Sequence, residues 1–137
     1  MKVTREVTFD SAHLLSNYKG KCHNLHGHTY RLQVTLEGEV GETGMVMDFK
    51  ELDGYIHQVT ESYDHAIIFS SVNFREEPED ELLHWAEKFG MNYIICGGKC
   101  TAENIVIDIQ GAIQSLVGPY EVSCRLWETP DSFAETV

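Results

Sequence analysis

Residues Tyr30 to Glu37 alternate without a break, with Tyr30, Leu32, Val34 and Leu36 set against Arg31, Gln33, Thr35 and Glu37. A strict period of two fixes this segment as a half-buried strand whose apolar side chains share one face. Residues 2 to 11 repeat the pattern with some noise: Val3, Arg5, Val7 and Phe9 on one side, Lys2, Thr4, Glu6 and Thr8 on the other. Glu121 to Trp127 repeat it again through Val122, Cys124 and Leu126. These faces need a cover, and the sequence offers helices. Asp48 is a candidate N-cap with Glu51 three residues on, as in a capping box, ahead of Leu52, Ile56, Val59 and Tyr63 at helical spacing. Pro78-Glu79-Asp80-Glu81 opens a second helix, its acids on the positive end of the dipole, and Gly90 ends it after Phe89. Thr101 caps a third, with Ile105, Ile109, Ala112, Ile113 and Leu116 on one face and Gly118-Pro119 as the stop.

Between these lie shorter signals. Residues 15 to 24 form a loop, and 38 to 44 a turn. Met45-Val46-Met47 reads as a short strand in a hairpin with the Tyr30 strand. Residues 64 to 69 read as a short buried strand, and Met91 to Cys96 as another, broken by Gly97-Gly98. The expected architecture is α+β, an antiparallel sheet with helices packed on one face, in one domain over residues 1–137. A small open sheet leaves its edges unpaired, and pairing with other subunits resolves that.

Charge narrows the function classes. With 22 acidic against 10 basic residues the net charge is −12, which disfavours binding along a nucleic-acid backbone or an anionic membrane. A small anionic substrate is compatible with a local basic cluster. No segment approaches the ~20 apolar residues of a membrane span, and the N-terminus lacks a signal peptide's apolar core. The chain reads as cytoplasmic, with its four cysteines (22, 96, 100 and 124) as free thiols, ligands or catalysts.

The chemistry concentrates in residues 22 to 28, Cys-His-Asn-Leu-His-Gly-His. His26 and His28 stand two apart at the start of the strong strand, so both imidazoles share a face and can share one metal. Gly27 between them allows close backbone approach. His13, at the end of the first strand, supplies a third nitrogen; His23, in the loop, is the weaker alternative. Three protein ligands leave one position open, the pattern of a catalytic zinc rather than a structural one. Nitrogen-only ligation favours zinc over magnesium or calcium. Cys22 is either a fourth ligand, closing the site, or a general base or nucleophile with a thiolate favoured by nearby cations. Asp64-His65 reads most simply as a polar turn at a helix end. Adjacent strand residues face opposite ways and need not bond each other. Glu128, at the end of the last strand, reads alone as a solvated acid.

Four stretches together resemble the 6-pyruvoyltetrahydropterin synthase and 6-carboxytetrahydropterin synthase family: Phe9-Asp10-Ser11-Ala12-His13, Cys22 to His28, Asp64-His65 and Glu128-Thr129. Met47 to Leu52 and Thr101-Ala102-Glu103-Asn104 support them. The order is the family's and spans nearly the whole chain. The Cys-x-x-x-His-Gly-His spacing is similar to the bacterial carboxytetrahydropterin synthase of the queuosine and deazapurine pathway. The biopterin-type synthase has two more residues there, and a third branch carries a catalytic Glu in this loop.

The resemblance implies zinc (Zn2+) on His13, His26 and His28. It implies Cys22 as general acid/base, with Asp64 and His65 completing a proton relay across a subunit boundary. Glu128 is implied as the anchor of the pterin, with Thr101 and Glu103 framing its pocket. It also implies the tunnelling fold (T-fold), in which subunits join sheets into a barrel as a trimer or hexamer. The implied substrate is a pterin triphosphate, with Lys19, Lys21 and Arg31 as candidate triphosphate contacts. Residues 70 to 100 depart from the pattern, being longer and acidic. Cys96 and Cys100 within them read as buried or structural rather than as a second metal site.

Overall fold

The computed structural model describes residues 1–137. Six strands and three helices follow in the order β1 (Lys2–His13), β2 (His26–Glu37), α1 (Phe49–Thr60), β3 (Ala66–Phe69), α2 (Glu79–Phe89), β4 (Tyr93–Ile95), α3 (Ala102–Val117), β5 (Glu121–Thr129) and β6 (Ser132–Glu135), with a 3-10 turn at Lys21–His23. All strands join one sheet in the order β4-β3-β1-β2-β5-β6. β1, β2, β5 and β6 are antiparallel neighbours. β3 runs parallel to β1 and β4 parallel to β3. The sheet is therefore mixed, where an antiparallel one was expected. Residues 49–65 and 70–92 carry the crossovers that parallel neighbours require.

The period-two face of β2 is fully buried from Tyr30 to Leu36. It meets Phe9 of β1, Val122 and Leu126 of β5, Leu52 and Ile56 of α1, and Ile105, Ile109 and Ile113 of α3 in one apolar core. Arg5, the charge that interrupts the apolar face of β1, is answered by α1: its guanidinium forks onto Asp53, both contacts at 2.7 Å. α2 covers a different surface. Ile68 of β3 joins the main core, but its neighbours Ile67 and Phe69 pack with Leu82, Leu83 and Ala86 of α2. Successive strand residues face opposite ways, so α2 lies on the other face, and the helices are not all on one side.

Other expectations are also corrected. Met45-Val46-Met47 is an irregular bend, not a strand, because both sides of β2 are taken by β1 and β5. β6 had no counterpart in the sequence reading. Asp48 does cap α1, accepting from the Lys50 N–H at 2.7 Å, but Glu51 closes no box and instead accepts from the Tyr55 hydroxyl. Thr101 occupies the N-cap of α3 without a side-chain bond to that helix's backbone. Val106 and Val117 are buried on α3, whereas Ala112 faces solvent. No helix is long and apolar enough to cross a membrane.

The core assignment has a direct check. Ile109→Ala, at a fully buried site, is expected to lower unfolding free energy by about 2–5 kcal/mol. Ile107→Ala, on the same helix but 55% exposed, is expected to shift it by less than about 0.5 kcal/mol. Urea denaturation midpoints read both.

Candidate metal centre and adjoining cavity

β1 and β2 are paired over their whole length, with Phe9 opposite Tyr30, Ser11 opposite His28 and His13 opposite His26. Directly paired residues share a face, so the three histidines continue the helix-covered face at the end where its apolar filling stops. Gly27 lies between His26 and His28 because β1 runs close there: a Cβ at Gly27 would stand 3.3 Å from the Ser11 carbonyl oxygen.

The three rings converge. Their centroids are 4.6 Å apart for His13 and His26, 5.2 Å for His13 and His28, and 4.9 Å for His26 and His28. One ring nitrogen from each lies within 4.8 Å of the other two. Two rings are oriented from behind. His13 Nδ1 meets the Cys100 carbonyl at 2.7 Å, and His26 Nδ1 meets the Asn24 carbonyl at 2.7 Å. A carbonyl only accepts, so each holds the proton on Nδ1 and leaves the Nε2 lone pair free. His28 Nε2 is buried and has no hydrogen-bond partner at all. A buried polar atom left unpaired costs roughly 1–3 kcal/mol, and a metal ion is what this one lacks. Burial also lowers the pKa of His13 to about 4, so its ring is neutral, as a ligand must be. The donor set fits a first-row transition metal, zinc among them.

Cys22 is not among the converging atoms. It opens instead on a cavity of about 290 Å³ shared with His13, Tyr18, Thr101, Glu103, Glu128 and Phe133. Extending the β2–β5 register by one pair sets Glu128 opposite Tyr30, on the histidine face. Its Oε1 is 3.7 Å from His13 Nε2. Burial, and then repulsion from Glu103, raise the Glu128 pKa above the ordinary carboxylate value. The structure thus brings together His13, His26, His28, Cys22, Thr101, Glu103 and Glu128.

It does not bring Asp64 and His65 to them. Those two line a hollow with Asp10, Ala12, Gly27 and Thr29, residues whose alternation points them away from the helices. Against expectation they bond each other, His65 Nδ1 to Asp64 Oδ2 at 2.9 Å. His65 has a left-handed φ of 56° and precedes β3, so strand alternation does not apply to it. The pair is anchored by Asp64 Oδ1, which accepts from the Asp10 N–H at 2.9 Å. Its hydrogen bond to Asp64 raises the His65 pKa, while Asp64 is lowered, first by the Asp10 N–H and then by His65. Arg31 also lies outside the cavity, its guanidinium stacked 3.8 Å over Trp127. Lys19 and Lys21 are exposed. Cys96 and Cys100 are buried free thiols, raised to about 12 and about 11 by burial.

Sequence reasoning missed Tyr30, whose hydroxyl is 3.4 Å from His13 Nε2. The only signal was a phenol in an otherwise aliphatic strand face. It also missed the Cys100 and Asn24 carbonyls, which no side-chain pattern encodes.

A family model described as 6-pyruvoyl tetrahydropterin synthase matches residues 2–137. The chain is 39% identical to the 6-carboxy-5,6,7,8-tetrahydropterin synthase of Haemophilus influenzae, the match covering 98% of this chain and 96% of that one. It is 30% identical to the enzyme of that name from Rickettsia bellii, over 98% and 99% of the two chains. A catalytic-residue mutant of Plasmodium vivax 6-pyruvoyltetrahydropterin synthase shares the fold, with a TM-score of 0.77 at 18% identity over 99% of this chain and 96% of its own.

Proposed function

The chain belongs to the 6-pyruvoyl tetrahydropterin synthase family, and from that premise we propose that it is a zinc-dependent 6-carboxy-5,6,7,8-tetrahydropterin synthase. Its reaction consumes 7,8-dihydroneopterin triphosphate and water and yields 6-carboxytetrahydropterin, acetaldehyde and triphosphate. The observation that carries this reading is the three-histidine cluster with an unpartnered buried His28 nitrogen, opening beside a cavity that holds a thiol and a carboxyl.

Zinc held by His13, His26 and His28 supplies Lewis acidity toward the side-chain oxygens of the substrate. The protein's own groups do the rest. Glu128 accepts two hydrogen bonds from the N2 and N3 edge of the pterin, the geometry a carboxylate offers a guanidine-like group. Glu103 and Thr101 frame the same edge. Cys22 moves a proton between side chain and ring as general acid/base. Lys19 and Lys21, exposed on the loop that carries Cys22, are the candidate triphosphate contacts.

Asp64 and His65 reach the reaction of a neighbouring copy, because within one chain they stand on the face away from the Cys22 cavity. The edge strands support assembly into such an oligomer. β4 and β6 are the free edges of the sheet, and Tyr93, Ile95 and Phe133 are exposed along them. An open apolar edge is a template for pairing.

Product identification tests the reading. Zinc-loaded protein mixed with 7,8-dihydroneopterin triphosphate is expected to release acetaldehyde and a carboxypterin, read by mass spectrometry. A pyruvoyl product without acetaldehyde would instead assign the triphosphate-eliminating reaction alone.

A further inference from the structure

Glu79 begins α2 within an acidic run, yet it is 0% exposed, and the reaction above makes no use of it. A fully buried carboxyl is costly unless its oxygens are hydrogen-bonded. Both are. Oε2 accepts the Ser16 hydroxyl at 2.9 Å, and Oε1 accepts the Ser70 N–H at 2.6 Å. The Ser70 hydroxyl in turn accepts the Cys100 N–H at 3.1 Å and lies 3.4 Å from the Cys100 sulfur. That sulfur is 3.8 Å from Glu79 Oε1 and donates to the Leu14 carbonyl at 3.1 Å. The Cys100 carbonyl is the group that orients His13.

These bonds close around His13 from both directions. Leu14 and Ser16 belong to the chain as it leaves His13 toward Cys22, and Cys100 stands behind the imidazole. One carboxyl group holds both, through Ser16 on one side and through Ser70 on the other. Apolar packing of α2 is already supplied next door by Phe69, Leu83 and Ala86, so helix docking alone does not require a buried acid. Satisfied buried polar networks fix one geometry where apolar contacts tolerate several.

We propose that Glu79 is a positioning residue of the three-histidine centre, fixing the Ser70–Cys100 corner whose carbonyl sets the tautomer and direction of His13. This rests on the reading of those histidines as a metal site. Groups that orient a metal-ligating histidine typically contribute 10–100-fold in metal affinity.

The test uses zinc and cobalt(II) alone, titrated into metal-free protein against a chromophoric chelator. Glu79→Gln keeps the volume but turns one acceptor oxygen into a donor facing a donor. It is expected to weaken zinc binding by roughly 10–100-fold and to change the visible bands of the cobalt form, which report ligand geometry. Ser70→Ala, a milder change that removes the Ser70–Cys100 link, is expected to act in the same direction and keeps the test open if Glu79→Gln does not fold. A role confined to stability would lower the melting temperature and leave affinity and cobalt bands unaltered. If the unaltered protein binds one ion, His26→Ala abolishes that binding, and Glu79→Gln and Ser70→Ala match the parent in affinity and spectrum, the proposal is overturned while the metal centre stands. If the unaltered protein binds no ion, the metal centre itself is wrong, and the proposal falls with it.

Discussion

His28→Ala is expected to abolish stoichiometric zinc binding and to lower turnover by about 10³-fold or more, while the protein stays folded. A bound Lewis acid supplies several kcal/mol of transition-state stabilisation, and each 1.36 kcal/mol is tenfold in rate. Folding should survive because none of the three histidines belongs to the apolar core, which is built from Phe9, Tyr30 and the aliphatic residues of β2, α1, α3 and β5. The truncation also deletes the one buried nitrogen that has no hydrogen-bond partner, so the metal-free variant loses nothing polar that was satisfied. Metal analysis and thermal melts by circular dichroism read the two halves of the result. Chelation of the unaltered protein gives the matching control. A structural zinc module unfolds when its ion is removed, whereas this chain is expected to lose activity, keep its secondary structure, and drop in melting temperature only by the linkage of ion binding. Unfolding on chelation would move the site from catalysis to structure.

Much of that site is local in sequence, which is why it could be read before any coordinates. His26 and His28 share a face by strand period alone, and the Tyr30 to Leu36 alternation says which face the helices cover. The partners that complete the picture are long-range. Arg5 looks like noise in β1 until Asp53 of α1 meets it, and no local pattern encodes that meeting. Glu79 looks like one more solvated acid at a helix start, and only the convergence of Ser16 and Ser70 shows that it is interior. Met45-Val46-Met47 has a strand's composition, but β5, far along the chain, takes the edge of β2 that a hairpin would have used. β6 was available to a closer reading. Thr129 and Ser132 pair across Pro130-Asp131, a turn dipeptide in which the Asp131 side chain accepts from Thr129 at 2.8 Å. Asp64-His65 failed for a conformational reason: the argument assumed a strand, and the left-handed backbone of His65 rotates its ring back toward Asp64.

Cys22→Ser is expected to lower kcat by about 10²–10⁴-fold, the usual contribution of a positioned acid/base, and to leave zinc stoichiometry unchanged. The two halves of that result separate the roles open to this thiol. The sulfur is not one of the atoms that converge with the histidine nitrogens, and it lines the cavity beside Glu128; a ligand role therefore predicts metal loss, and a proton-carrying role predicts metal retention. Serine preserves shape and hydrogen bonding but resists ionisation near neutral pH, so a large loss points to proton transfer rather than packing. Retained turnover within a factor of about ten would remove Cys22 from the acid/base step. The same variant also probes where its relay partner comes from. Within one chain His65 stands on the outer face, held by Asp64 and Asp10, and cannot serve its own Cys22 without reversing the sheet. If a neighbouring copy supplies it, refolding Cys22→Ser together with His65→Ala places an intact thiol and an intact imidazole at some shared sites. Activity that neither variant has alone is then expected to return. Its absence, with mixed oligomers present by mass spectrometry, would confine the chemistry to residues of a single chain and leave Asp64-His65 as a structural turn.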